Sequence, residues 1–258
     1  MKHFAVISAL ALCATPAVHA QDEIATDRPD FVESSNVVGK SRLQVETSLL
    51  LERDRSGAAR DRTVSTPTLL RYGIGETFEL RAETDGRMIA RHTEGGLRGT
   101  ETGYADTSLG VKWHAMDAGG SLPSVGVLLH ADLDSGSRAF RGQGLRPSLR
   151  VVGEWELPGE LSLGVMPGVG VERGDAGRYR YAILGVVLGK SINERLRGFI
   201  EVAMPQIARS VDGGTQASFD AGGAYLLSDT VQVDAMVSRG LNSRTPDLAF
   251  TVGLSFKL

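Results

Sequence analysis

Leu248-Ala249-Phe250-Thr251-Val252-Gly253-Leu254-Ser255-Phe256-Lys257-Leu258 closes the chain. Leu248, Phe250, Val252, Leu254, Phe256 and Leu258 share one parity, and all are large and apolar. Ala249, Thr251, Gly253, Ser255 and Lys257 share the other, and all are small or polar. A period of two sustained over this length predicts a β-strand with two unlike faces.

The same alternation runs backwards through the sequence. Val231, Val233, Ala235 and Val237 oppose Gln232, Asp234, Met236 and Ser238. Leu43, Val45, Thr47, Leu49 and Leu51 oppose Arg42, Gln44, Glu46 and Ser48. Twelve such stretches are predicted, near 41–52, 62–72, 77–86, 104–116, 124–134, 145–157, 160–172, 179–190, 195–204, 215–227, 230–239 and 247–258. In the eighth, Arg180, Ala182, Leu184, Val186, Leu188 and Lys190 read as the lumen parity, with an apolar stripe from Ala182 to Leu188.

The connections sort by length. Gly73–Glu76, Asp117–Pro123, Pro158-Gly159, Ser191–Glu194 and Ser228-Asp229 are short. Between them fall longer, charged or Gly-rich ones: Arg53–Asp61, Gly86–Gly103, Ser135–Gly144, Arg173–Arg178, Pro205–Gly214 and Gly240–Pro246. Short turns at one end and long loops at the other are the habit of outer-membrane barrels, and a sandwich has no reason to sort its loops this way.

The first twenty residues read as an export signal. Lys2 and His3 precede the uncharged apolar run Phe4–Ala14, and Val18-His19-Ala20 places small residues before a cut at Gln21. A buried N-terminal strand or helix is the bland alternative. A lipoprotein signal ending at Cys13 is another, although Leu12 is bulky where such signals want a small residue. Cys13 is the single cysteine, so a chain cut after Ala20 has no disulfide and no Cys-based metal or nucleophile chemistry. Loss of Lys2 from the 28 basic residues leaves 27 against 31 acidic ones, net −4, which gives nucleic acid nothing to bind. With 41% hydrophobic residues and a mean hydropathy of −0.07 there is no run long enough for a membrane helix. Half-apolar strands escape such hydropathy scales, so a membrane barrel stays open beside a secreted soluble domain.

Three features favour the membrane. One parity is smooth Leu, Val and Ala. The other mixes Gly and Ser with paired charges. The last strand ends on Leu258 with an apolar residue at every second position, like the terminal strand read by outer-membrane assembly machinery. Trp113, Trp155, Tyr179, Tyr181 and Tyr225 are the candidates for interfacial belts.

Ile24-Ala25-Thr26-Asp27-Arg28-Pro29-Asp30-Phe31-Val32-Glu33-Ser34-Ser35 closely resembles the opening of an outer-membrane protein family named for the meta-pathway of phenol degradation. Arg71–Gly75 leading into Phe78–Arg81, Gly103–Lys112, Asp220–Asp229, Gly240–Asn242 and Thr245–Asp247 are similar to it as well. The resemblance implies a transporter-like barrel, found alongside aromatic degradation, with no catalytic set to carry over.

The expectation is therefore all-β: an antiparallel transmembrane β-barrel of about 12 strands over 41–258. Residues 1–20 form a signal peptide, and 21–40 form an N-terminal periplasmic or plug segment at or in the lumen. The plug candidates are Asp27, Arg28, Asp30, Phe31 and Glu33; a loose periplasmic leader is the alternative. The pore-lining candidates are Arg42, Glu46, Arg71, Glu79, Arg81, Glu83, Lys112, Asp132, Arg146, Arg150, Glu154, Asp220 and Asp234. Such charges either set the selectivity of a pore or neutralise one another in a barrel that conducts little.

The expected role is a passive channel or transporter for small solutes, aromatic ones included. A non-conducting structural or sensory barrel is the rival reading. An acyl hydrolase is a third: pairing about residue 119 would set His130 opposite Ser108, near Asp106 and Asp132. Expected partners are outer-membrane lipid, the assembly machinery and a small solute. No phosphate loop, metal cluster or dinucleotide fingerprint occurs, so no cofactor is expected.

Overall fold

The structure is a computed structural model that describes residues 23–174 and 177–258. The expected signal peptide lies outside the described residues. No helix among them is long and apolar enough to cross a membrane.

Fifteen strand segments form one antiparallel sheet: β1 (Leu43–Ser56), β2 (Ala59–Ser65), β3 (Thr68–Gly73), β4 (Phe78–Thr84), β5 (Arg87–Glu94), β6 (Leu97–Tyr104), β7 (Thr107–Met116), β8 (Ser124–Asp132), β9 (Arg146–Leu157), β10 (Leu161–Gly174), β11 (Gly177–Ser191), β12 (Leu196–Ile207), β13 (Gln216–Ser228), β14 (Val231–Gly240) and β15 (Leu248–Lys257). Three wall strands are interrupted, at Thr66-Pro67, Asp85-Gly86 and Ala105-Asp106, so the fifteen segments make twelve wall strands. β1 pairs with β15 from Gln44↔Lys257 to Arg53↔Leu248, which closes the barrel and leaves neither strand as an edge.

The barrel is inside-out relative to a soluble protein. Arg71, Lys112, Gln44, Glu46, Glu79 and Glu201 are fully buried. Leu70, Leu80, Leu109, Leu129, Leu149, Val169, Ile200 and Val252 stand exposed on the outer wall. Exposed apolar side chains in a continuous band, with charges at the centre, fit a wall solvated by acyl chains. Tyr72, Phe78, Trp113, Trp155 and Tyr225 face outward near the short-turn end, with Phe78 stacked on Trp113 at 6.0 Å, and Tyr104, Phe219 and Phe250 are exposed toward the long-loop end.

Four expectations change. On β11 the buried residues are Ile183, Gly185, Val187 and Gly189, so the Ala182–Leu188 stripe faces lipid. Tyr179 and Tyr181 lie on that same inner parity and are not belt residues. The stretch Gly86–Gly103 is not a loop; most of it forms the β5–β6 hairpin, which pairs through β2 with β1. β1 and β2 likewise meet at a tight turn around Gly57, so at this end the chain overhangs the wall as strand rather than coil.

Candidate functional site

Residues from Ile24 to Val38 run inside the barrel, and the wall is built to receive them. Only near the ends does the segment join the wall backbone to backbone, through Ile24 N–H to Asp229 O and Ser41 N–H to Gly73 O. Between these points it is held by wall side chains.

One sector of the lumen, from β1 to β7, is ionic. Arg71 lies 3.0 Å from Glu46 and 2.8 Å from Glu79. Arg81 pairs with Asp27, Glu79 and, at 2.6 Å, Glu33. Lys112 donates to both Asp27 carboxylate oxygens at 2.8 Å and to the Ser34 carbonyl. Arg150 reaches Glu33 at 2.6 Å. Within this sector the wall supplies three cations, Arg71, Arg81 and Lys112, with Arg150 reaching in from β9, and the carboxylates Glu46 and Glu79 stand directly among them. Asp27 and Glu33 of the inserted segment bring two further carboxylates to the cluster. Wall carboxylates also take the segment's N–H groups: Glu46 from Asp27, Glu79 from Val38, and Glu154 from Ser35.

Burial works against the Asp27 charge. Arg71, Lys112 and Arg81 together outweigh it and hold the carboxyl well below the usual range. Glu33 suffers the same burial, and Arg81 and Arg150 bring it down to about 2.

The sector from β8 to β12 adds an apolar seat to its charged contacts. Val32 packs with Leu128, Val152, Met166, Val187 and Phe199, with Phe31 and Met236 against the cluster. Small wall residues make the room. A Cβ on Gly185 would lie 2.6 Å from Val32, one on Gly164 would lie 3.0 Å from Val32, and one on Gly126 would lie 2.9 Å from the Ser35 backbone. Glu201 then accepts the N–H groups of Phe31 and Val32 at 2.7 and 2.8 Å. Asp30 pairs with Arg197 at 2.9 Å, and Arg28 reaches Asp234 at 3.3 Å and Thr251 at 3.0 Å.

The expected pore-lining residues divide by height. Glu46, Arg71, Glu79, Arg81 and Lys112 hold the segment directly. Glu83, Asp132 and Arg146 stand above it and line a cavity of about 520 Å³ with Asp106, His130 and Glu172; Arg150 both lines this cavity and holds Glu33. Asp106 accepts the N–H groups of Gly136 and Gly142 and pairs with Arg146 at 2.7 Å. Glu154 lines a second cavity of about 300 Å³ at the short-turn end, with Thr26, Asp30, Arg197 and Gln232. Asp220 faces inward but bonds Ser218, not the segment. Arg42 is exposed beside the hinge where the segment enters β1.

Arg197 and Glu201 were not among the expected residues. Their signal was present, because Arg197, Phe199, Glu201 and Ala203 alternate with Gly198, Ile200, Val202 and Met204. The Ser-His pairing does not form. Gly110, not Ser108, stands opposite His130, and Ser108 faces Asp132. Ser108 Oγ and His130 Nε2 are each buried without a hydrogen bond, and Asp106 is committed to Arg146. No group of three potential metal ligands occurs among the described residues.

Solved structures share the fold. The COG4313 outer membrane channel from Pseudomonas putida F1 superposes with a TM-score of 0.61 at 11% identity, covering 90% of this chain and 99% of its own. The β domain of the Bordetella autotransporter BrkA gives 0.56 at 14% identity, covering 84% and 99%. The NanC porin gives 0.52 at 12% identity, covering 84% and 100%. At such identities the likeness is one of fold. No curated protein matches the sequence. A family model does match, and it takes in the inserted segment as well as the wall: over residues 26–258 the chain belongs to the family described as "Putative MetA-pathway of phenol degradation".

Proposed function

We propose that the protein is an outer-membrane channel for small solutes whose lumen is gated by its own N-terminal segment. The observation that carries this reading is the attachment of the segment. It lies between an outer cavity of about 520 Å³ and a short-turn-side cavity of about 300 Å³, held there by side chains and not woven into the sheet. A barrel meant to stay sealed has no need of a filling that can leave without breaking its ladder. Twelve strands enclose more space than their own inward side chains fill.

The outer cavity is polar, with Glu83, Asp85, Asp106, Asp132 and Glu172 against Arg146, Arg150 and His130. This supports small polar or weakly charged solutes. An aromatic solute with polar substituents fits the family's name and this lining better than a bare hydrocarbon does. The apolar stripe from Ala182 to Leu188 lies on the outer face and offers no greasy path through the lumen. Of the rivals, the hydrolase lacks its Ser-His bond.

Proteoliposome uptake of small sugars and phenols tests the proposal, comparing the mature chain with a deletion of 21–38. Faster uptake after deletion, in protein that still shows a folded-barrel gel shift, is the expected result. Sealed vesicles with both proteins would leave the structural or sensory reading.

A further inference from the structure

The overhanging strands sort their charges by face. Glu52-Arg53-Asp54-Arg55 on β1 faces Arg60-Asp61-Arg62 on β2. With period two, the carboxylates point to the inner face and the arginines to the outer one. The pairing sets them side by side. Arg53 is directly opposite Arg62, Arg62 opposite Arg91, and Arg55 opposite Arg60. Arg239 joins the same row across Leu248. All six are exposed.

Like charges directly opposite on neighbouring strands repel and weaken a sheet. No carboxylate among the described residues forms an ion pair with these guanidinium groups. Asp247 accepts the Arg55 backbone N–H at 3.1 Å, as Asp54 does at 2.9 Å, and Asp247 shares a groove of about 350 Å³ with Arg53, Arg55, Arg239 and Leu248. One pair of residues below, the same outer face is apolar: Val237, Phe250, Leu51, Val64 and Ile89 are aligned across the strands. The arginine row therefore begins about 7 Å beyond the last apolar row, at a strand rise near 3.4 Å per residue.

The geometry points to a binding site for a phosphorylated glycolipid of the outer leaflet, a lipid A type molecule. Its acyl chains lie on the apolar row and its phosphates bridge Arg53, Arg62 and Arg91. A free anion would use the arginines but not the apolar row beneath them, so the lipid is the occupant that fits both. Phosphate oxygens accept the planar forks of several guanidiniums at once, which removes the repulsion that the bare sheet carries.

The test uses the mature barrel in zwitterionic micelles mixed with bisphosphorylated lipid A, scoring lipid phosphate retained after gel filtration and the unfolding midpoint. Wild-type protein is expected to retain the lipid and to gain in midpoint. The triple variant Arg53→Gln/Arg62→Gln/Arg91→Gln is expected to lose retention about tenfold or more. Without lipid, its midpoint should equal or exceed that of wild type, because the repulsion is gone. Arg62→Gln alone carries the test if the triple variant does not fold, with Arg195→Gln on a short turn as the one-charge control. Retention by the triple variant, equal loss in the two single variants, or equal retention of dephosphorylated lipid would overturn the proposal. So would a midpoint gain of the same size from inorganic phosphate, which would make this a free-anion site.

Discussion

The two sectors of the lumen hold one segment with different mixtures of contact. From β1 to β7 the grip is ionic, centred on Asp27 between Arg71, Arg81 and Lys112. From β8 to β12 an apolar seat is added, with Val32 over Gly164 and Gly185, beside the charged contacts of Arg150, Glu154, Arg197 and Glu201. Ionic contacts at full burial are brittle. Removal of one partner strands the others in a medium that cannot solvate them. Apolar contacts are graded, and each methyl group contributes separately. A gate needs both properties: a lock with a definite geometry, and a seat that yields in small steps.

The largest effect should come from the ionic side. Asp27→Ala leaves three buried cations short of a carboxylate and should destabilise the seated state by about 3–5 kcal/mol, read from urea unfolding in micelles. A loss under about 1 kcal/mol would mean that water already reaches this cluster. Next comes the apolar seat. Gly185→Leu places a side chain where Val32 sits and should cost about 1–3 kcal/mol, while opening the lumen to solute. Val32→Ala removes two methyl groups and should cost about 1–2 kcal/mol. Equal losses from Val32→Ala and Asp27→Ala would erase the contrast between the sectors. Smallest is Arg28→Gln: the contact with the buried Asp234 is long at 3.3 Å, and the Gln amide can still donate to the carboxylate, so the loss should be about 1 kcal/mol.

Acid should weaken only the ionic grip. Asp27 and Glu33 have folded pKa values below their ordinary 3.8 and 4.5. Their contribution is therefore complete above those values and is lost as pH falls, through about 2 for Glu33. The stability difference between the full chain and the 21–38 deletion should shrink over that descent. A difference that stays constant would assign the grip to the apolar sector alone.

Much of this was legible in the sequence, for physical reasons. β15 reads cleanly because lipid demands one smooth apolar face and the lumen tolerates only small or polar groups. Asp27, Arg28, Asp30, Phe31 and Glu33 stood out as too ordered a mixture for a loose leader. β11 misled because its inner face is also apolar: Ile183 and Val187 are greasy there, and the apolar seat for Phe31 and Val32 includes Val187. A lumen wall is polar only where its filling is polar. The β5–β6 hairpin was unreadable as strand because beyond Ile89 both its faces are mostly polar or glycine, which removes the apolar parity. The β7–β8 register slid by two residues from the turn-based expectation; a bulge between His114 and Met116 also interrupts this pairing.

Planar-bilayer conductance of the full chain against the 21–38 deletion tests the gate most directly. The account predicts a low, intermittent current for the full chain and a steady, larger one after deletion. Equal currents from two folded barrels, open or sealed alike, would contradict it.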